Sequence, residues 1–221
     1  MRAAARSSRR GSAGRRLISF DRSLGVRFVA GADEAGRGCL AGPLVAAAVL
    51  LDLEALGAAQ VRALAALNDS KQHGEVGREA LYPVVLANVA RAAVISRSPR
   101  SIDERGLHRM NLDALREALL CVARPGCLCL VDGFEVAEMP FEQQAVVHGD
   151  ATSAAIAAAS ILAKVTRDRF MRRAAERHPG WGFEEHFGYS TPSHRAAILE
   201  RGVSPLHRMS FQSTAYQQLA L

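Results

Sequence analysis

The chain has 221 residues, 49% hydrophobic and 23% charged, which is enough to bury one substantial core in a single domain. Its formal net charge of +6 points towards a polyanion, yet residues 1–16 hold six arginines and no acid, and the remaining 22 basic residues balance 22 acids. Overall charge therefore describes the tail, and any phosphate-binding surface on the domain has to be a local patch.

No apolar run is long enough to span a bilayer, and the Arg-rich start lacks the apolar segment of a secretory signal. A cytoplasmic protein with no membrane partner is expected. The four cysteines form no Cys-x-x-Cys pair, and Cys127 and Cys129 would share one face of a strand, so reduced structural thiols are expected.

In chain order, residues 1–16 read as a disordered Arg-rich tail and 17–221 as one domain, with a C-terminal appendage from about residue 180. Residues 28–32 and 44–51 are short apolar runs bounded by Gly and Pro, the pattern of two buried strands. Residues 53–67 predict a helix ending in the polar turn Asn68-Asp69-Ser70-Lys71. A second helix over 75–86 is strained by Pro83, and 89–97 has the β-branched content of a strand.

A polar connector over 98–109 follows, with Asn111 as the cap of a helix over 112–122. Residues 127–131 form another short apolar run, ending in Asp132-Gly133, and 145–147 a further strand-like piece. From 151 to 176 the Ala-rich sequence is the strongest helix signal in the chain. A loop rich in Gly, Pro, aromatics and His then leads to a short helix over 192–201, stopped by Gly202.

Asp33, Glu34, Asp132 and Asp150 all stand where an apolar strand ends or a helix begins, so adjacent strands can gather four carboxylates in one cleft. Such a cluster is costly unless cations neutralise it, and oxygen-only ligands suit Mg²⁺ or Mn²⁺ rather than zinc. Two ions about 4 Å apart would bridge a phosphodiester, activate water and stabilise the departing 3′ oxygen. No Walker lysine motif or Gly-x-Ser-x-Gly elbow is present, which excludes the usual triphosphatase and serine hydrolase chemistries. Between the first two strands, Gly36, Gly38 and Gly42 permit a tight turn and close backbone approach to a ligand. The basic residues are 26 arginines and only two lysines, Lys71 and Lys164, which marks those two positions as places where a compact charge near phosphate or carboxylate is wanted.

Taken in order, GADEAGRGCLAGPLVAAAVLL, LNDSK, LVDGF, HGDATSAAIAAASILAKVTRDRFM, HFGYSTPSH and HRMSF resemble the type 2 ribonucleases H, the ribonuclease HII family, over roughly residues 27–211. The resemblance implies an α/β ribonuclease H-like fold, a mixed central sheet flanked by helices with a C-terminal helical appendage. It further implies a metal-dependent endonuclease, with Mg²⁺ or Mn²⁺ as cofactor. The substrates would be RNA–DNA hybrids and duplex DNA carrying single ribonucleotides, and the products 5′-phosphate and 3′-hydroxyl ends.

Carried over by position, Asp33, Glu34, Asp132 and Asp150 match the metal-binding catalytic acids. Gly36-Arg37-Gly38 matches the motif that presents backbone groups to the ribonucleotide 2′-hydroxyl, and Tyr189 the residue that packs beside the sugar. Lys71, Lys164 and Arg167 fall in motifs lining the cleft, where they would contact phosphate or position acids.

Three positions depart from the family's habit: Phe134 in place of Asn, Ser101 in place of Glu, and Ser190 in place of Gly. A monomer is expected. The C-terminal Gln217-Gln218-Leu219-Ala220-Leu221 faintly resembles a sliding-clamp-binding peptide, but a frayed terminus is the preferred reading.

Overall fold

The computed structural model describes residues 2–67, 74–211, 216 and 217, with side chains from residue 13 onward. Helix α1 (Arg2–Ser23) leads into strands β1 (Phe28–Ala35) and β2 (Leu44–Asp52), followed by α2 (Ala58–Ala63), α3 (Glu75–Asn88) and β3 (Arg91–Arg97). Next come α4 (Pro99–Arg105), α5 (Leu107–Val122), β4 (Cys127–Asp132) and β5 (Gln143–Val146). The long helix α6 (Ala154–Arg177) and the short helices α7 (Phe183–His186) and α8 (Pro192–Arg201) complete the fold.

The five strands form one mixed sheet in the order β3-β2-β1-β4-β5. β2 runs antiparallel to both β1 and β3, whereas β4 lies parallel to β1 and to β5. This is an α/β ribonuclease H-like arrangement, in keeping with the sequence expectation.

Central strands are covered on both faces and therefore read as unbroken apolar runs rather than alternating ones. Val29, Val45, Ala47 and Val49 pack with α6, while Ala30, Ala32, Ala46 and Ala48 pack with α5. The small face of α6 lets it approach closely: a Cβ on Gly31 would lie 2.3 Å from the Ala155 carbonyl carbon. Ser153 caps α6 by accepting the Ile156 N–H at 3.3 Å.

Four local expectations differ from what the fold shows. Residues of the expected disordered tail lie in α1, because Ala and Arg are good helix formers and the helix is anchored further along by buried Leu17, Ile18 and Asp21. Gly14 lies close against the 3-10 turn that follows α2, where a Cβ would meet the Leu64 carbonyl oxygen at 2.1 Å. The 53–67 helix is reduced to α2 and a short 3-10 turn, Leu64–Ala66.

The connector over 98–109 is instead largely helical, with Ser98 capping α4 by accepting the Ser101 N–H at 3.1 Å. Consequently Asn111 is no cap but sits within α5, fully buried on the apolar stripe of Met110, Ala114 and Leu115. Among the described residues no helix is long and apolar enough to cross a membrane. All four cysteines are free, with only Cys121 exposed.

Candidate functional site

Asp33 and Asp132 each lie one residue beyond the last parallel β1–β4 pair, Ala32 with Val131, which brings their backbones side by side at the strand ends. Strand alternation then divides the adjacent acids. Asp33 follows Val29 towards α6 and is hydrogen-bonded by the Ser160 side chain, whereas Glu34 follows Ala30 and Ala32 towards α5, where the Asn111 amide faces it. Neither Asn111 amide atom makes a hydrogen bond of ordinary geometry, although both are buried.

Asp33, Glu34 and Asp132 line one cavity of about 280 Å³ together with Gly36, Arg37, Gly38, Arg78, Ser160, Lys164 and Tyr189. Burial, and next the charge of Glu34, push the Asp33 carboxyl up to about 8. Burial likewise raises Glu34, against the pull of the Arg37 guanidinium 3.7 Å away. Two desolvated acids beside Asp132 make an oxygen-rich cluster, a donor set that fits hard divalent cations. Among the described residues, no three acid, histidine or cysteine side chains are already drawn together around one cation position.

Asp150 is buried in the turn before α6 but does not line the cavity. It is joined to the site through the preceding residue, whose Gly149 N–H donates to Asp132 Oδ1 at 2.7 Å.

The glycine corner is held from behind. Gly36 and Gly42 have φ of +88° and +87°, and a Cβ on Gly36 would lie 2.0 Å from Arg167 Nε. By contrast, a Cβ on Gly38 would meet open space. Arg167 is fully buried and donates to the carbonyls of Pro43, Phe187 and Ala41 at 2.9, 2.8 and 2.9 Å. Arg208, also fully buried, donates to the Gly42 and Arg37 carbonyls at 2.9 to 3.0 Å. Arg167 thus supports the corner from behind, its guanidinium given over to three backbone carbonyls.

A family model for ribonuclease HII matches residues 30–214. The chain belongs to the ribonuclease HII family. Curated members from Mycobacterium sp. (strain KMS) and Brucella suis are 47% and 48% identical over 85% of this chain, covering 76% and 83% of their own lengths. The ribonuclease H2 of Pyrococcus horikoshii superposes with a TM-score of 0.74 at 26% identity, over 87% of this chain and 96% of that one. A Bst-RNase HIII crystallised with Mn²⁺ shares the fold, with a TM-score of 0.70 at 18% identity over 91% of this chain and 72% of that one. The protein is accordingly a ribonuclease H endonuclease and a hydrolase.

Within this ribonuclease HII site, Lys164 Nζ donates to Asp168 Oδ1 at 2.7 Å and lies 5.1 Å from the Tyr189 ring centroid. Arg78 approaches the other Asp168 oxygen at 3.7 Å. Tyr189 is 39% exposed at the cavity wall, where burial pushes its hydroxyl up to about 12. Lys71 lies outside the described residues, as does the C-terminal peptide beyond Gln217.

The departures acquire local partners. Phe134 places its ring 5.3 Å from the Arg37 guanidinium, Ser101 closes the start of α4, and the Ser190 carbonyl accepts from Arg195 at 2.8 Å. Sequence reasoning missed Asn111 and Arg208 as parts of the site. A polar residue on the apolar stripe of α5 was the available signal for Asn111; for Arg208 it was its place in the HRMSF segment, although nothing local pointed to its carbonyl partners, more than 160 residues away.

Proposed function

We propose that this ribonuclease HII cleaves the RNA strand of RNA–DNA hybrids and also cuts duplex DNA at single embedded ribonucleotides, using Mg²⁺ or Mn²⁺ held by Asp33, Glu34, Asp132 and Asp150. The observation that carries the reading is the meeting of three carboxylates with the Gly36–Gly38 corner and Tyr189 around one cavity. A bound pair of divalent ions would supply an activated water and stabilise the leaving 3′ oxygen, giving 5′-phosphate and 3′-hydroxyl products.

The chain's own residues supply position and selectivity. With no Cβ and open space before it, Gly38 lets a sugar edge reach the backbone, where a 2′-hydroxyl can donate or accept a hydrogen bond. Tyr189 offers a ring face to the neighbouring sugar from the cavity wall, with Lys164 Nζ 5.1 Å from its ring centroid. Arg37 and Lys164 give the cavity positive charge for the phosphate backbone, and Asp168 holds Lys164 in place. A monomer suffices for these parts. The RNase HII of Archaeoglobus fulgidus has a solved structure in complex with PCNA, and a sliding clamp is proposed as a partner of this chain as well.

The test compares a continuous hybrid with a duplex carrying one ribonucleotide, each with Mg²⁺, Mn²⁺ or chelator. Metal-dependent incision of both, abolished in Asp33→Asn and Asp132→Asn, is expected. Incision that survives chelation, or both variants retaining full activity, would refute the reading.

A further inference from the structure

Behind Tyr189, three histidines form a buried chain that the acid site does not use. His186, His194 and His207 are 6%, 0% and 3% exposed, and the His186 and His194 rings stack at 4.1 Å between centroids. Their partners dictate where each proton sits. His207 Nδ1 accepts the Ser204 N–H at 2.8 Å, so its proton is on Nε2. That nitrogen lies 3.1 Å from His194 Nε2, which must then be the acceptor. The His194 proton is therefore on Nδ1, from which it donates to the Tyr189 carbonyl at 2.9 Å. His186 is fixed in the same way: Nδ1 accepts the Gly188 N–H at 3.1 Å and Nε2 donates to the Trp181 carbonyl at 2.6 Å.

The chain runs one way, from Ser204 through His207 and His194 to Tyr189, and its two ends belong to the two walls of the sugar-facing site. The Tyr189 N–H donates to the His186 carbonyl at 2.9 Å, which secures the other side of its peptide. At the far end His207 bridges to Ala41, and the next residue is Arg208, which holds Gly42 and Arg37. Phe183 packs within 6.0 Å of all three rings, closing the chain off from water. Burial keeps the imidazoles neutral, drawing His194 and His207 down to about 4. A charged His194 would also place a second proton between the two facing nitrogens, and a charged His207 would set an Nδ1–H against the Ser204 N–H.

We propose that His194 and His207 are positioning residues for ribonucleotide recognition: their neutral hydrogen-bond chain sets the carbonyl of Tyr189, and with it the ring, in register with the Gly36–Arg37–Gly38 corner. The inference rests on the reading of Tyr189 as the residue beside the sugar, and deepens it.

Nitrogen-15 NMR of the full-length wild-type chain at neutral pH reads the premise without any activity. His194 is expected as the Nδ1–H tautomer and His207 as the Nε2–H tautomer; opposite tautomers or a charged ring would overturn the inference and leave the nuclease reading untouched. The second arm is a mutant cycle on the single-ribonucleotide duplex.

His194→Phe keeps the aromatic packing and loses the donor, and is expected to lower kcat/KM about tenfold, the equivalent of about 1.4 kcal/mol. His194→Asn, whose amide can still reach the carbonyl, is expected to recover most of that loss. If both act through Tyr189, His194→Phe added to Tyr189→Ala causes no further loss. Independent, multiplying losses would overturn the proposal, as would unchanged kcat/KM in a folded His194→Phe. Should His194→Phe fail to fold, the cycle is run under the same criteria with His207→Phe, which removes the donor to His194 Nε2.

Discussion

Replacing Asp33 by Asn should stabilise the metal-free protein while abolishing cleavage, and the stabilisation should depend on pH in a defined direction. Asp33 is buried beside Glu34 and within the field of Asp132, and its carboxyl is raised from 3.8 to about 8. The folded state therefore binds this proton more tightly than the unfolded chain does. A penalty for ionising Asp33 is absent below about pH 4, grows as pH rises and is complete above about pH 8.

At about 1.4 kcal/mol per pH unit, the penalty at pH 7.5 reaches about 5 kcal/mol. Asn escapes it but makes poorer hydrogen bonds with the Glu34 N–H and Ser160, at a cost of about 2 to 3 kcal/mol. The net gain of about 2 to 3 kcal/mol corresponds to a rise in Tm of about 5 to 10 °C for a chain of this size. The assay is calorimetry in chelator at pH 4.5 and pH 8, comparing wild type with Asp33→Asn. Added Mg²⁺ or Mn²⁺ should raise the wild-type Tm and leave the variant unmoved. A pH-independent difference, or a variant less stable than wild type at pH 8, would refute the reasoning.

Asn111→Leu removes a buried amide without ordinary hydrogen bonds, so stability should hold within about 1 kcal/mol while kcat falls about tenfold or more as Glu34 loses its neighbour; thermal melts and single-turnover rates separate the two effects. Gly38→Ala should fold with an unchanged melt and lose affinity for the ribonucleotide duplex. Gly36→Ala, at φ +88° and against Arg167, should lower Tm markedly before any binding is measured. Equal melts for the two would sink the distinction.

His194 and His207, depressed from 6.5 to about 4, contribute stability that is fully present above pH 6.5 and is lost as pH falls towards 4. In that window each of these imidazoles adds one proton to the uptake on unfolding while the raised carboxyls of Asp21 and Asp33 release theirs, so acid unfolding followed by circular dichroism is read as the difference between wild type and a histidine variant. His194→Phe should reduce the uptake by one.

Much of this protein was legible in one dimension, for identifiable reasons. Runs such as 44–51 are apolar throughout because a central strand is covered on both faces, so their position was clear from composition alone. Asp33, Glu34 and Asp132 stood out because a charge at the end of such a run needs a partner. Their neighbours were not legible in the same way. Arg167 reads as a cationic residue on an exposed helix edge until β2 and the Gly188 turn close over it, and its three hydrogen bonds reach carbonyls 20 to 126 residues away. Asn111 was misread because the start of α5 depends on Gly106 and the packing of α4, not on a local capping signal.

The sequence by itself determined which segments are buried, where charge enters the core and which backbone positions must lack a side chain, since each of these is a local demand of hydration or sterics. Only the tertiary structure decided which acids share a cavity, which arginine props the glycine corner, and which nitrogen of each buried histidine carries its proton. Those depend on the register of Ala32 with Val131 and on partners brought together from distant parts of the chain, for which neighbouring residues carry no local signal.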